Sequence, residues 1–285
     1  MIAGIRSHSI KSAIRKLPLK KLFFCALVIG GCVLFKAFFI GADALDLDWL
    51  LYPSKLLVSV CSGLSFVWAG SLGYYNAELE ILIAPACSGL NFFIIQVATG
   101  GCLTALRTAG IRQWTVWLAG IIPAAYLFTL LANTIRILLA ILLYSRKISL
   151  GPLTPERLHR LEGIAVYFIC LCIFAVILSA LLRRKERRHS EAAGSVAKTA
   201  PAAVGAAVAL PFFCYLFFTV VVPLANSLIR GSSQLNVEHF AVVAALSAGI
   251  SLCLYLLLRG KYRVFRVISR VEHEHHQAQN PDRRR

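Results

Sequence analysis

Residues 163–188 read Gly-Ile-Ala-Val-Tyr-Phe-Ile-Cys-Leu-Cys-Ile-Phe-Ala-Val-Ile-Leu-Ser-Ala-Leu-Leu-Arg-Arg-Lys-Glu-Arg-Arg. An uncharged run of about twenty residues is the length of helix that crosses the hydrocarbon core of a bilayer. The basic cluster that closes it is the mark of a cytoplasmic flank. The rest of the chain has the same character. It is 285 residues long, 58% hydrophobic and only 15% charged, with a mean hydropathy of +0.73. A soluble domain is roughly half apolar and about a quarter charged, so this composition specifies an integral membrane protein.

The net charge of +17 raises the question of a nucleic-acid partner, because basic patches neutralise phosphates. Its distribution answers against one. Twenty-two of the 30 Lys and Arg fall in residues 1–21, 107–112, 183–198 and 259–285, each beside a long apolar run. That is a positive-inside pattern, and it fixes the sides of the membrane. The basic segment 1–21 is cytoplasmic, and Leu22 to Ile40 is an uncleaved first span, since no small-residue cleavage site follows it. Residues 41–88 carry Asp43, Asp46, Asp48, Glu78 and Glu80 against Lys55 alone, which suits the outer face.

Within that outer segment, residues 51–70 are interrupted by Pro53, Ser54, Lys55, Ser59, Ser62 and Ser65. They read as a helix lying in the interface, with Leu56, Val60, Leu64 and Val67 at helical spacing. Residues 73–84 read as a short extended pair. Leu90 to Leu106 crosses inward. Gln113 to Tyr144 is too long for one perpendicular span at about 1.5 Å per residue. It is read as an outward crossing to about Leu131, followed by a stretch at the outer face or re-entering the bilayer. Residues 145–162 are an outer loop, 207–229 cross outward and 239–258 cross back. The expected fold is an all-α integral membrane protein of about six transmembrane helices, plus an interfacial helix and a partial re-entrant or extended helix, with its active site at the extracytoplasmic face. The expected organisation is a basic amino terminus (1–21), a catalytic membrane core (22–182), a basic and Ala-rich linker (183–206), two further spans (207–258) and a basic tail (259–285). His273, His275 and His276 in that tail read as solvated.

The nine cysteines show no CxxC and no metal-ligand spacing. Only Cys87 has unusual neighbours, in Pro85-Ala86-Cys87-Ser88-Gly89-Leu90-Asn91. Proline tolerates the first turn of a helix, so a helix is expected to begin there. Cys87 would then lie where the helix dipole favours a thiolate, with Ser88 and Gly89 allowing close approach. A buried inert thiol with Ser88 as a cap is the plainer alternative. Arg136, one turn from Asn133, is the only charge between Gln113 and Ser145. A guanidinium in hydrocarbon needs a partner or a polar cavity, unless it snorkels from a helix end. His159, in Leu158-His159-Arg160-Leu161-Glu162-Gly163, precedes an inward span. It could act as a base toward a thiol, with Glu162 orienting it or merely balancing Arg160. His239 is the competing outer-face histidine. Charge counting places Cys87, Arg136 and His159 on one side of the membrane, and nucleophile, base and oxyanion donor are what thioester acyl transfer requires.

Ala86-Cys87-Ser88-Gly89, Asn133-Thr134-Ile135-Arg136 and His159 with Gly163 four residues on resemble, in order, the signature of the exosortase/archaeosortase family of membrane cysteine transpeptidases. The stretch from Ile83 to Phe93 is most similar to the exosortase K branch. The resemblance spans roughly residues 50–180. It implies catalytic roles for Cys87, Arg136 and His159, supported by Ser88, Gly89, Asn133, Glu162 and Gly163, with no cofactor and no metal. It further implies a multi-pass protein of a prokaryotic inner membrane, with both termini cytoplasmic. The implied substrates are exported proteins with a carboxyl-terminal sorting signal: a short motif, a transmembrane helix and a basic cluster. Cleavage would pass through an acyl-enzyme resolved by an amine or by water. A non-catalytic transporter, or a lipid- or anion-binding membrane protein, is the alternative from another class, and an assembly scaffold is a third.

Overall fold

The structure, a computed structural model, describes residues 19–108, 110–145, 155–192, 202–229 and 240–257. The basic stretch before residue 19, residues 146–154 of the expected outer loop, residues 193–201 of the linker, His239 and the tail with its three histidines lie outside the described residues. Eight helices are described: α1 (Leu19–Phe38), α2 (Asp48–Ser62), α3 (Leu90–Arg107), α4 (Ile111–Ser145), α5 (Pro155–Ala192), α6 (Ala202–Leu216), α7 (Val222–Ile229) and α8 (Phe240–Leu257). Six stretches are long and apolar enough to cross a membrane: α1, Pro85–Arg107, α4, Leu158–Glu186, Val208–Ser227 and α8. The protein is an all-α integral membrane protein, as its composition requires.

α3 is the axis of the bundle. It contacts α1, α4, α5 and α6, and Phe92, Ile95, Ala98 and Leu103 are almost wholly enclosed. With neighbours on all sides, α3 needs no polar face, which is the pattern of a helix buried all round. The outer helices bear their apolar side chains outward. Ile169, Ile173, Ile177 and Leu181 are exposed at four-residue spacing on α5, the stripe expected of a lipid-facing surface.

The long run of α4 is one unbroken helix of 35 residues, which corrects the re-entrant alternative. At about 1.5 Å per residue it is roughly 52 Å long, longer than the about 30 Å of hydrocarbon that a perpendicular span needs to cross. Pro123 does not break it. The expected outer loop is also shorter than the sequence implied: α5 begins at Pro155, where proline's fixed φ suits the first helical position. His159 therefore sits on a helix, not in a loop.

α2 is a 15-residue helix closed by Gly63 in the left-handed conformation. Leu50, Leu51, Ser54 and Val58 are enclosed, whereas Leu56 and Val60 are exposed. One face thus packs on the protein and the other is free to lie in the interface. After it come three short antiparallel strands in the order β1 (Val67–Trp68), β2 (Tyr74–Asn76) and β3 (Ile81–Ile83). The expected extended pair is β2 and β3, with Tyr74 opposite Ile83 and Asn76 opposite Ile81; β1 was not foreseen. The Tyr74 hydroxyl donates to Asp48 Oδ1 at 2.8 Å and ties the sheet to α2. Burial, and then the neighbouring Asp48 carboxylate, push the Tyr74 phenol up to about 12, so it remains a donor throughout the physiological range.

Beyond α5, the fifth candidate span passes through a π turn at Phe217–Val221. Pro223 explains it. Proline has no N–H to give the preceding turn, and in π register the carbonyl left without a donor is that of Phe218. Lys36 Nζ on α1 donates to that oxygen at 2.8 Å. Cys214, Tyr215 and Phe218 join the same apolar core as α3.

Candidate active site

The site forms at the end of the bundle opposite Lys21, Arg107 and Lys185. Three segments build it: the turn before α3, the upper part of α4 and the first turns of α5. Cys87 does not lie in the first turn of an α-helix. Pro85–Cys87 forms a 3-10 turn of its own, and α3 starts at Leu90. The Cys87 N–H is bound to the Ala84 carbonyl at 2.7 Å, so it is not free to stabilise an anion, and the neighbouring side chains take over the part assigned to the helix dipole. Gly89 makes the break between turn and helix. Its φ is +78°, and a Cβ there would meet Thr129 Cγ2 at 3.0 Å. Only glycine combines the left-handed conformation with so close an approach to α4. Ser88 is buried, and its Oγ accepts from the Leu90 N–H at 3.3 Å, while the N-cap position of α3 is Gly89.

Asn133 anchors this turn. It is fully enclosed, and its Nδ2 donates to the Cys87 carbonyl at 2.7 Å and to Ser54 Oγ on α2 at 3.2 Å. Its Oδ1 accepts from the Tyr167 hydroxyl at 2.8 Å. Tyr167 in turn accepts from Arg136 Nη1 at 3.3 Å, with the guanidinium carbon 5.3 Å from its ring centre. Phe92 stacks on the same ring at 4.7 Å. Arg136 is thus held in mid-helix by named partners, and the snorkelling alternative does not describe it. Its second terminal nitrogen, Nη2, lies 3.3 Å from His159 Nε2. A guanidinium can only donate, so His159 Nε2 is the acceptor in this arrangement and Nδ1 carries the proton. That nitrogen faces Glu162 Oε2 at 3.5 Å. Glu162 is nearly buried, whereas Arg160 is exposed, so the carboxylate is directed at the histidine rather than at Arg160. The Cys87 thiol and the His159 imidazole line the same cavity.

Gly163 shows why a glycine stands four residues after the histidine. A Cβ there would come within 2.9 Å of Arg136 Nε, so the guanidinium lies flat against the α5 backbone where a side chain would stand. Every site residue expected from the sequence falls in this one cluster. Tyr167 and Ser54 were missed. Tyr167 follows His159 and Gly163 at four-residue intervals, a spacing that puts all three on one helix face. Nothing in its own neighbourhood distinguishes Ser54 from the other serines of α2.

Residues 54–176 match the transmembrane exosortase family (Exosortase_EpsH). The matched stretch contains the whole cluster. The likeness is to that family and is confined to this stretch. No curated protein and no solved structure matches the chain. The exosortase-like segment opens on a cavity of about 490 Å³, walled by β3, α4 and the start of α5, and reached by Cys87, Arg136 and His159. Among the described residues no group of three or more His, Cys, Asp or Glu could hold a metal.

Proposed function

We infer that the chain is a membrane-embedded cysteine transpeptidase, most like the exosortase K branch. In this reading it cleaves carboxyl-terminal sorting signals of exported proteins at the outer face of a prokaryotic inner membrane. The observation that carries the reading is the convergence of Cys87, Arg136 and His159, from three separate segments, on one cavity. The Cys87 sulfur attacks the carbonyl of the scissile bond. The thiol proton passes to His159 Nε2, the imidazole nitrogen that carries no proton, in place of the Arg136 donor, and Glu162 balances the charge at Nδ1. Once protonated, Nε2 no longer accepts from Arg136, so the guanidinium turns its donors to the developing oxyanion. Collapse of the tetrahedral intermediate leaves a thioester on Cys87, and His159 returns the proton to the departing amine of the substrate's membrane-helix segment. An acceptor amine, or water, then attacks the thioester and regenerates the thiol.

The test is co-expression with an epitope-tagged secreted protein that ends in a membrane helix and a basic cluster. Loss of the carboxyl-terminal segment should appear as a mass shift with the native chain and vanish in Cys87→Ala. Processing that persists in Cys87→Ala rules out the mechanism. A substrate left whole by both chains favours the transporter reading.

A further inference from the structure

The cavity wall formed by the sheet has an unusual composition. Glu80, Ile81, Leu82 and Ile83 all line it. A cavity lying over a sheet face would meet alternate residues, because successive side chains point to opposite faces. Four consecutive residues mean that the cavity runs along the edge of β3. That edge is unpaired among the described residues, since β3 ends the strand order. The opposite wall is one face of α4, presenting Arg136, Ala140 and Tyr144 at four-residue spacing.

The free edge has a defined polarity. The Ile83 carbonyl points toward Gly73, at the β2 side, where a Cβ would collide with it. Backbone groups of successive strand residues point to opposite edges, so the N–H and C=O of Leu82 face the cavity. Leu82 is exposed at this edge, and an unpaired strand edge is a template for a further strand. β3 leads through Ala84 and the Pro85 turn straight to Cys87, and from there α3 enters the bundle. An extended segment, a scissile bond and a membrane helix follow the same path in a sorting signal.

We propose that the substrate segment upstream of the cleaved bond docks as a fourth strand, parallel to β3, hydrogen-bonded to the backbone of Leu82 in the slot between β3 and α4. The proposal rests on the transpeptidase reading above and adds how the substrate is read: main-chain pairing supplies affinity, and pockets for alternate side chains supply selectivity. The middle of the slot is apolar, formed by Leu82, Ile137, Ala140 and Ile141, so small or apolar side chains fit there. Glu80 stands at the far end from Arg136 and His159.

Two experiments test this. The first uses the full chain carrying Cys87→Ala and Leu82→Cys, co-expressed with the same tagged substrate bearing single cysteines at consecutive positions before its membrane helix. Mild oxidation should link one position strongly and the position two residues away more weakly, leaving the residue between them unlinked. The Cys87→Ala chain without Leu82→Cys gives the background from exposed Cys61 and Cys253. The second is Leu82→Pro, which removes an edge donor that the β2–β3 ladder does not use. Cleavage should fall about tenfold or more, in line with the loss of hydrogen bonding at the edge, while alkylation of Cys87 by a small thiol reagent keeps its native rate. Equal linkage at adjacent positions, or none, with a substrate that the native chain cleaves through Cys87 would overturn the strand proposal and leave the transpeptidase reading intact. If the native chain and Cys87→Ala both leave the substrate whole, both fall together.

Discussion

Gly163 shows how a residue without a side chain can set the chemistry. The Arg136 guanidinium occupies the space a Cβ would take, so Gly163→Ala must push it off His159 and Tyr167. A displacement of this size at a reacting centre costs roughly 10–100-fold in rate. The expected outcome is that loss in a cleavage assay, with the thermal unfolding midpoint of the purified chain little changed. Tyr167→Phe is a milder probe. The ring keeps its stack on Phe92, but Asn133 Oδ1 and Arg136 Nη1 each lose a partner. Unsatisfied buried polar groups cost about 1–3 kcal/mol, so both activity and unfolding temperature should drop, and an unchanged pair of values would show that the hydroxyl does not hold the arginine. These residues were unequally legible in the sequence. Cys87, Arg136 and His159 stood out because each is chemically foreign to an apolar neighbourhood. Tyr167 did not, because an aromatic residue within a span looks like core until its hydroxyl partners are known.

The elements were legible where one physical constraint governs them. Spans follow from apolar length, whereas Pro155, read within a loop, opens α5, and Pro85 opens a short turn that Gly89 separates from α3. Of the two readings of α4 beyond Leu131, the re-entrant one came from treating the bilayer as the limit of a helix, and the extended one is what the structure shows. Nothing between Leu131 and Ser145 breaks a helix, and the emerging turns pack beside α5, so the helix continues. β1 was missed because two residues carry no periodic signal. α3 carries a cost that the sequence shows only as one polar letter: Gln96 is fully enclosed and, among the described residues, neither its amide oxygen nor its nitrogen has a partner. Removing an unpartnered buried polar group while keeping its volume is neutral or stabilising. Gln96→Met should therefore hold or raise the unfolding temperature in detergent, and a fall of several degrees would mean that the amide is satisfied in the membrane.

At the scale of the whole molecule, basic residues gather at one end of the bundle and the reactive cluster at the other. Lys21 Nζ reaches the Leu106 carbonyl and Arg107 the Ser179 carbonyl at the basic end, so these cations also tie the helices together there. A cysteine introduced at Glu80 should add labelling by a membrane-impermeant maleimide in intact cells, over the parent chain, and one introduced at Arg184 only after permeabilisation; the reverse pattern would put the site on the wrong side for exported substrates. The most direct test of the central claim is the fate of the acyl group itself. Hydroxylamine added to membranes that hold native chain and tagged substrate should release the substrate as a hydroxamate ending at a single bond, and the release should be absent with Cys87→Ala. Cleavage at that bond without any hydroxylamine-labile adduct on the native chain, or cleavage that survives Cys87→Ala, would contradict a thioester on Cys87.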